Sequence, residues 1–142
     1  DKMKLLMVVG SEDYDHKEAV WQALSELDKS FEDGPVRLLA ELEDGSHAGA
    51  YATMWADNQR MSTPSLITFQ RSNRKQVKAR SFTVAQDLYQ AGKDAVVYLV
   101  VFKRSDDFSD EARLLIEECE NVPKIKIVYV DYPELKILGR NR

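Results

Sequence analysis

The feature that most constrains this chain is an alternation, along 142 residues, between short continuous apolar runs and longer amphipathic stretches. Five of the short runs read as strands. Leu5-Leu6-Met7-Val8-Val9 ends at Gly10, Val36 to Ala40 follows the Gly34-Pro35 break, and Leu66 to Phe69 follows Pro64. Ala95 to Phe102 and Ile125 to Val130 are rich in β-branched and aromatic residues, as strands buried on a face should be. The stretches between them read as helices. In the first, Ala19, Val20, Ala23, Leu24 and Leu27 recur at three- and four-residue spacing, with Asp13 or Asp15 as the expected N-cap, His16 in the first turn and an end near Ser30. The second runs from about Ser46 to Arg60 with Ala50, Met54 and Trp55 on one side, and the third from about Ser81 to Gln90, stopped by Gly92. In the fourth, Ser109 heads an Asp110-Glu111 first turn that suits the positive end of the helix dipole, and Ala112, Leu115, Ile116 and Cys119 form the buried stripe.

Strands alternating with helices predict an α/β fold, a Rossmann-like three-layer sandwich with a mainly parallel five-stranded sheet and right-handed crossovers. Residues 1–130 form the expected single domain. Residues 131–142 read as a C-terminal arm, packed through Leu135, Ile137 and Leu138 or used for self-association. Met3 reads as the natural start, and no internal repeat or low-complexity segment interrupts the pattern.

Composition excludes several classes. With 44% hydrophobic and 31% charged residues, the chain is neither disordered throughout nor a membrane protein, and no apolar run approaches the roughly 20 residues of a membrane helix. Its net charge of −4 leaves nucleic acid an unfavoured partner unless a local patch supplies the positive charge. A single cysteine, Cys119, excludes an internal disulfide and a cysteine zinc cluster, which fits a cytoplasmic protein with a core thiol.

In open parallel sheets ligands bind beyond the carboxyl ends of the strands, so the loops there hold the candidate site. After the first strand, Gly10-Ser11 offers backbone amides and a hydroxyl to an anion, or forms a plain strand-to-helix turn; Glu12 and Asp13 would repel a phosphate lying close by. After the second, Gly45-Ser46-His47-Ala48-Gly49 places two glycines four apart at a helix start, with His47 either a donor to phosphate or ribose or a plain surface residue. It is not a P-loop, because the Walker lysine and its Ser/Thr are absent. After the third, Arg71, Arg74, Lys75, Lys78 and Arg80 stand without an acid in an otherwise acidic chain, a basic loop that closes over phosphates or is simply solvated. The loop after the fourth strand, Lys103 to Phe108, has no glycine. Its Asp106-Asp107 pair could hold Mg²⁺, but adjacent carboxylates in loops are common, and with Asp110, Glu111, Glu117, Glu118 and Glu120 they read most simply as a solvated acidic face. No nucleophile–base–acid set stands out among two histidines and one helical cysteine.

The opening Lys4-Leu5-Leu6-Met7-Val8-Val9-Gly10-Ser11-Glu12-Asp13-Tyr14, followed by Glu18-Ala19-Val20-Trp21-Gln22-Ala23-Leu24, resembles that of small SLOG-superfamily proteins, Rossmann-like relatives of DprA and of the LOG phosphoribohydrolases. Met54-Trp55-Ala56 and Gln90 to Val97 extend the resemblance over most of the chain. It implies a nucleotide or nucleotide-derived ligand at the strand ends, with Asp13 at the position of the family's aspartate, and homo-oligomerisation. The departures bear on activity. Glu12 stands where the family has an anion-binding arginine, Gly45 and Gly49-Ala50 are a remnant of a Gly-Gly-x-x-Gly-Ala-Asp pattern, and Val84-Ala85 replaces an Arg-Asn pair. The Pro-Gly-Gly-x-Gly-Thr loop of the catalytic branch corresponds to Lys103 to Ser109, with every glycine gone.

The expectation is a non-catalytic SLOG-like domain, with no cofactor and no metal. It would bind its nucleotide through Gly10, Ser11, Asp13, Gly45, Ser46, His47, Gly49, Lys75, Lys78 and Arg80. The alternative is a protein-interaction module, in the manner of a phage-encoded accessory protein, that kept the fold and lost the nucleotide site. A residual phosphoribohydrolase activity is the lesser alternative.

Overall fold

The structure is a computed structural model, described for residues 4–29, 38–42, 46–59, 65–67 and 96–133. The strands are β1 (Lys4–Gly10), β2 (Leu38–Leu42), β3 (Ser65–Ile67), β4 (Val96–Lys103) and β5 (Ile125–Asp131); the helices are α1 (Lys17–Lys29), α2 (His47–Asn58) and α3 (Asp110–Glu120). The expected helix at 81–90, Gly92, the basic loop and residues 134–142 lie outside the described residues, as do Val36, Arg37, Thr68, Phe69 and Ala95 at strand ends.

All four pairings are parallel, in the order β3-β2-β1-β4-β5. The chain is thus α/β with a parallel sheet. Leu6, Met7, Val8 and Val9 of β1 are all fully buried, so successive side chains enter two different cores. Leu6 and Val8, with Val100 and Phe102 of β4, meet Val20 and Leu24 of α1 and Ala48, Ala52, Trp55 and Ala56 of α2. Met7 and Val9, with Val97, Leu99 and Val101, meet Ala112, Leu115 and Cys119 of α3. Helices therefore lie on both faces. Two indoles tie α1 to α2: Trp21 Nε1 donates to the Tyr51 carbonyl at 3.0 Å, and Trp55 Nε1 to Ser25 Oγ at 2.9 Å.

Several local expectations change. The cap of α1 is His16 rather than Asp13 or Asp15: its Nδ1 accepts from the Ala19 amide at 3.0 Å, while Asp13 and Asp15 face the strand-end loops. In α2 the buried face is Ala48, Ala52, Trp55 and Ala56, a repeat of four, seven and eight residues; Ala50 is exposed and Met54 is 46% exposed. In α3 the Ser109 hydroxyl accepts from the Ala112 amide at 3.0 Å, as a serine N-cap should. Its buried arc spans roughly 160° and includes Leu114, Glu111 and Glu118, so those two glutamates do not belong to a solvated face; Ile116 is only partly buried. Burial pushes the Cys119 thiol up to about 12, with Glu118 and Glu120 adding to it, which makes it an inert core thiol. Asp131 closes β5 and Tyr132 packs against the α1–α2 core, so the first residues of the expected arm belong to the domain. No helix among the described residues is long and apolar enough to cross a membrane.

Candidate functional site

From β1 the chain builds outward through β2 and β3, then crosses back to place β4 on the other side of β1. The order of addition reverses between β1 and β4, the place where parallel sheets open a crevice for ligands. Residues 11–16, after β1, and 104–109, after β4, flank it.

Gly10 ends β1 against the first turn of α2. A Cβ there would stand 2.5 Å from the Ala48 Cβ, so strand and helix meet at a distance only glycine permits. This is a packing requirement that holds with or without a ligand. Ser11 is fully buried: its N–H donates to the Phe102 carbonyl at 2.9 Å, and its Oγ accepts from the Arg104 amide at 3.0 Å. The Glu12 amide donates to the Asp107 carbonyl at 2.7 Å, and the Tyr14 amide to the Ser11 carbonyl at 3.1 Å. The amides of Ser11, Glu12 and Arg104 are thus spent on joining the two loops, and that of Tyr14 on a bond within the first.

Side chains tighten the closure. Arg104 Nη1 donates to the Asp13 carbonyl at 3.3 Å and lies 3.5 Å from Asp15 Oδ1, and its guanidinium sits 4.1 Å above the Tyr132 ring. Tyr132 in turn donates through its hydroxyl to Asp15 Oδ1 at 2.9 Å and through its amide to the Lys103 carbonyl at 3.0 Å. Tyr14 is fully buried and packs edge-on to Phe102 and Tyr132. Its hydroxyl donates to the Asp131 carbonyl at 3.3 Å. Burial, with Tyr132 and Asp131 beside it, pushes that hydroxyl up to about 12 and keeps it a donor.

Charge works in the same direction. Burial raises the Asp13 carboxyl, but hydrogen bonds from Ser105 and Ser11, one from its own backbone and the positive charge of Arg104 outweigh it and hold it below 3.8. An ionised carboxylate therefore stands at the crevice, where a phosphate would meet repulsion. It also engages the Ser11 hydroxyl, which already accepts from Arg104.

The other expected residues separate from this group. Ser46, buried, caps α2 by accepting from the Gly49 amide at 3.3 Å, and Gly49 is itself buried inside the helix. His47 begins α2, exposed, its ring 6.2 Å from that of Tyr51, and the first turn carries no acid. Gly45, Lys75, Lys78 and Arg80 lie outside the described residues. Across the crevice, Lys103 Nζ lies 3.2 Å from Asp106 Oδ1, and Arg113 donates to the carbonyls of Asp106 and Phe108. No group of three or more His, Cys, Asp or Glu among the described residues is placed to hold a metal ion.

Sequence reasoning missed Arg104 and Tyr132, which do most to close the loops. The available signal was positional: Ser11, Arg104 and Tyr132 are each the first residue beyond their strand, where neighbouring parallel strands bring side chains together. Compared with protein-family models, with curated proteins and with solved structures, the chain matches none.

Proposed function

We propose that this chain is a non-catalytic, Rossmann-like interaction domain, related to the SLOG superfamily, that acts through protein contact rather than through a nucleotide in its β1–β4 crevice. One observation carries the reading: the hydroxyl of Ser11 and the amides of Ser11, Glu12, Tyr14 and Arg104 are all bonded within the protein, beside an ionised Asp13. A nucleotide phosphate would have to break these bonds and displace a carboxylate, and each buried polar group left unpaired costs about 1–3 kcal/mol. The resemblance of the opening segment to SLOG proteins supports the ancestry of the fold, and the lost glycines between Lys103 and Ser109 support loss of the catalytic loop.

The test is thermal unfolding with mono-, di- and cyclic nucleotides, NAD and ADP-ribose at millimolar concentration. A ligand at about 100 times its dissociation constant adds roughly 2.7 kcal/mol, a shift of several degrees. The expected panel is flat; a shift abolished by Ser11→Ala overturns the proposal.

A second reading has its own support. The exposed His47 at the acid-free start of α2 would suit a nucleotide phosphate held on the β1–β2 side, and Lys75, Lys78 and Arg80, outside the described residues, are the basic residues the sequence offers to it. Its signature is a shift that survives Ser11→Ala and is lost in His47→Ala and in the triple charge reversal of Lys75, Lys78 and Arg80.

A further inference from the structure

The loop amides at the crevice are bonded within the protein, but the side chain of Arg104 keeps donors in hand. Its guanidinium lies 4.1 Å above the Tyr132 ring, and both of its polar contacts, the Asp13 carbonyl at 3.3 Å and Asp15 Oδ1 at 3.5 Å, fall on Nη1. Nε and Nη2, a pair of nitrogens that can meet a carboxylate through two parallel hydrogen bonds, have no partner among the described residues, and the side chain is 45% exposed. Arg113, the next arginine along the chain, shows the alternative. Its Nε and Nη2 donate to the Phe108 carbonyl at 3.3 Å and the Asp106 carbonyl at 2.7 Å, so its fork is consumed by its own loop. Tyr132 is itself fixed, its hydroxyl on Asp15 at 2.9 Å, its amide on the Lys103 carbonyl at 3.0 Å and its ring against those of Tyr14 and His16. Stacked on that platform, the open fork of Arg104 has less rotamer freedom to lose on binding than an unsupported surface arginine.

The charges nearby select the ligand. Glu12 and Asp15 on the facing loop, Asp107, whose carbonyl takes the Glu12 amide, and Asp131, next to Tyr132, are all exposed, while Lys103 is paired with Asp106 at 3.2 Å. A phosphate group, with about two charges at neutral pH, or a wholly acidic peptide meets repulsion from these carboxylates, and a wholly basic peptide sets its charge against the guanidinium. One carboxylate between lysines or arginines satisfies both. Resting on the interaction reading above, we propose that Arg104, on its Tyr132 platform, anchors a partner protein through a single Asp or Glu side chain flanked by basic residues. Arginine and tyrosine are, with tryptophan, the residue types enriched where interfaces concentrate their energy.

Fluorescence anisotropy on the full chain, at up to millimolar peptide, tests this with a labelled peptide carrying one glutamate between pairs of lysines. The same peptide with glutamine in place of the glutamate should bind about tenfold more weakly or worse, as loss of a charge-assisted pair of hydrogen bonds warrants. Arg104→Gln should erase that difference, and Arg104→Lys, which keeps the charge without the fork, should recover only a small part of it, with thermal unfolding confirming that both variants are folded. Equal binding of the glutamate and glutamine peptides by the wild type, no binding of either, or a preference that survives Arg104→Gln overturns the anchor. Tighter binding of a phosphoserine peptide than of the glutamate one overturns its assignment to a carboxylate. These outcomes leave the interaction reading standing, whereas a nucleotide-induced stability shift abolished by Ser11→Ala overturns that reading whatever the peptides do.

Discussion

The two flanks of β4 make opposite use of their polar groups. Toward β1, the loops beyond the strands close on one another: Ser11 bonds to Phe102 and Arg104, Glu12 to Asp107, and Arg104 reaches Asp15 and Tyr132. Toward β5, the outer strand on that side among the described residues, Tyr129 is 52% exposed and Lys126 lies over the Tyr98 ring. A site whose donors are already spent cannot hold an anion without losing those bonds. An edge, by contrast, keeps backbone groups that a new strand can use at no internal cost.

This contrast can be broken by substitution. Gly10→Ala should have the largest effect, toward the upper end of the roughly 1–3 kcal/mol that overpacking costs, because its Cβ would meet Ala48 at 2.5 Å and neither strand nor helix can easily retreat. Urea unfolding would measure it; a neutral result would mean that β1 and α2 are not in this contact. Ser11→Ala should cost about 2 kcal/mol, since it strands the Arg104 amide and removes a donor to Asp13 in a fully buried position. If the variant instead gained nucleotide affinity without losing stability, the closure would be incidental.

Asp13 makes the same point through pH. Its folded carboxyl titrates below 3.8, so its contribution to stability is present at neutral pH and above, and is lost as the pH falls below that value through the folded pKa. Asp13→Asn should be less stable than the wild type at neutral pH and lose less on acidification, visible as a flatter acid limb in melting temperature against pH. Smallest of all, Tyr129→Lys should alter stability by no more than about 0.5 kcal/mol, because the side chain is half exposed. A larger loss would show that Tyr129 carries packing that its exposure does not reveal.

How much of this was legible depended on whether the deciding contact was local. The runs Leu6 to Val9 and Val97 to Phe102 announce strands buried on both faces through their short length, their valines and, for the first, the glycine that ends it. Ser109 announces the start of α3 because its hydroxyl reaches an amide three residues on. The cap of α1 was misread because two aspartates are more usual caps than a histidine, and only the loop's path turns His16 toward the Ala19 amide. Glu111 and Glu118 were misread because charge in a helix ordinarily marks solvent.

The candidate site was less legible still. Gly10-Ser11-Glu12-Asp13 has the composition of an anion-binding turn, and nothing within those four residues reveals that partners 90 or more positions away consume its donors. By itself the sequence determined the alternation of strands and helices, the two-sided burial of the central strands and the cap of α3, all set by periodicity or by contacts within one turn. Only the tertiary structure decided that β4 lies beside β1, that Gly10 serves the contact with α2, and that Arg104 and Tyr132 seal the strand ends. Those outcomes depend on pairings between distant segments, whose free energy exists only once the sheet has brought them within bonding distance.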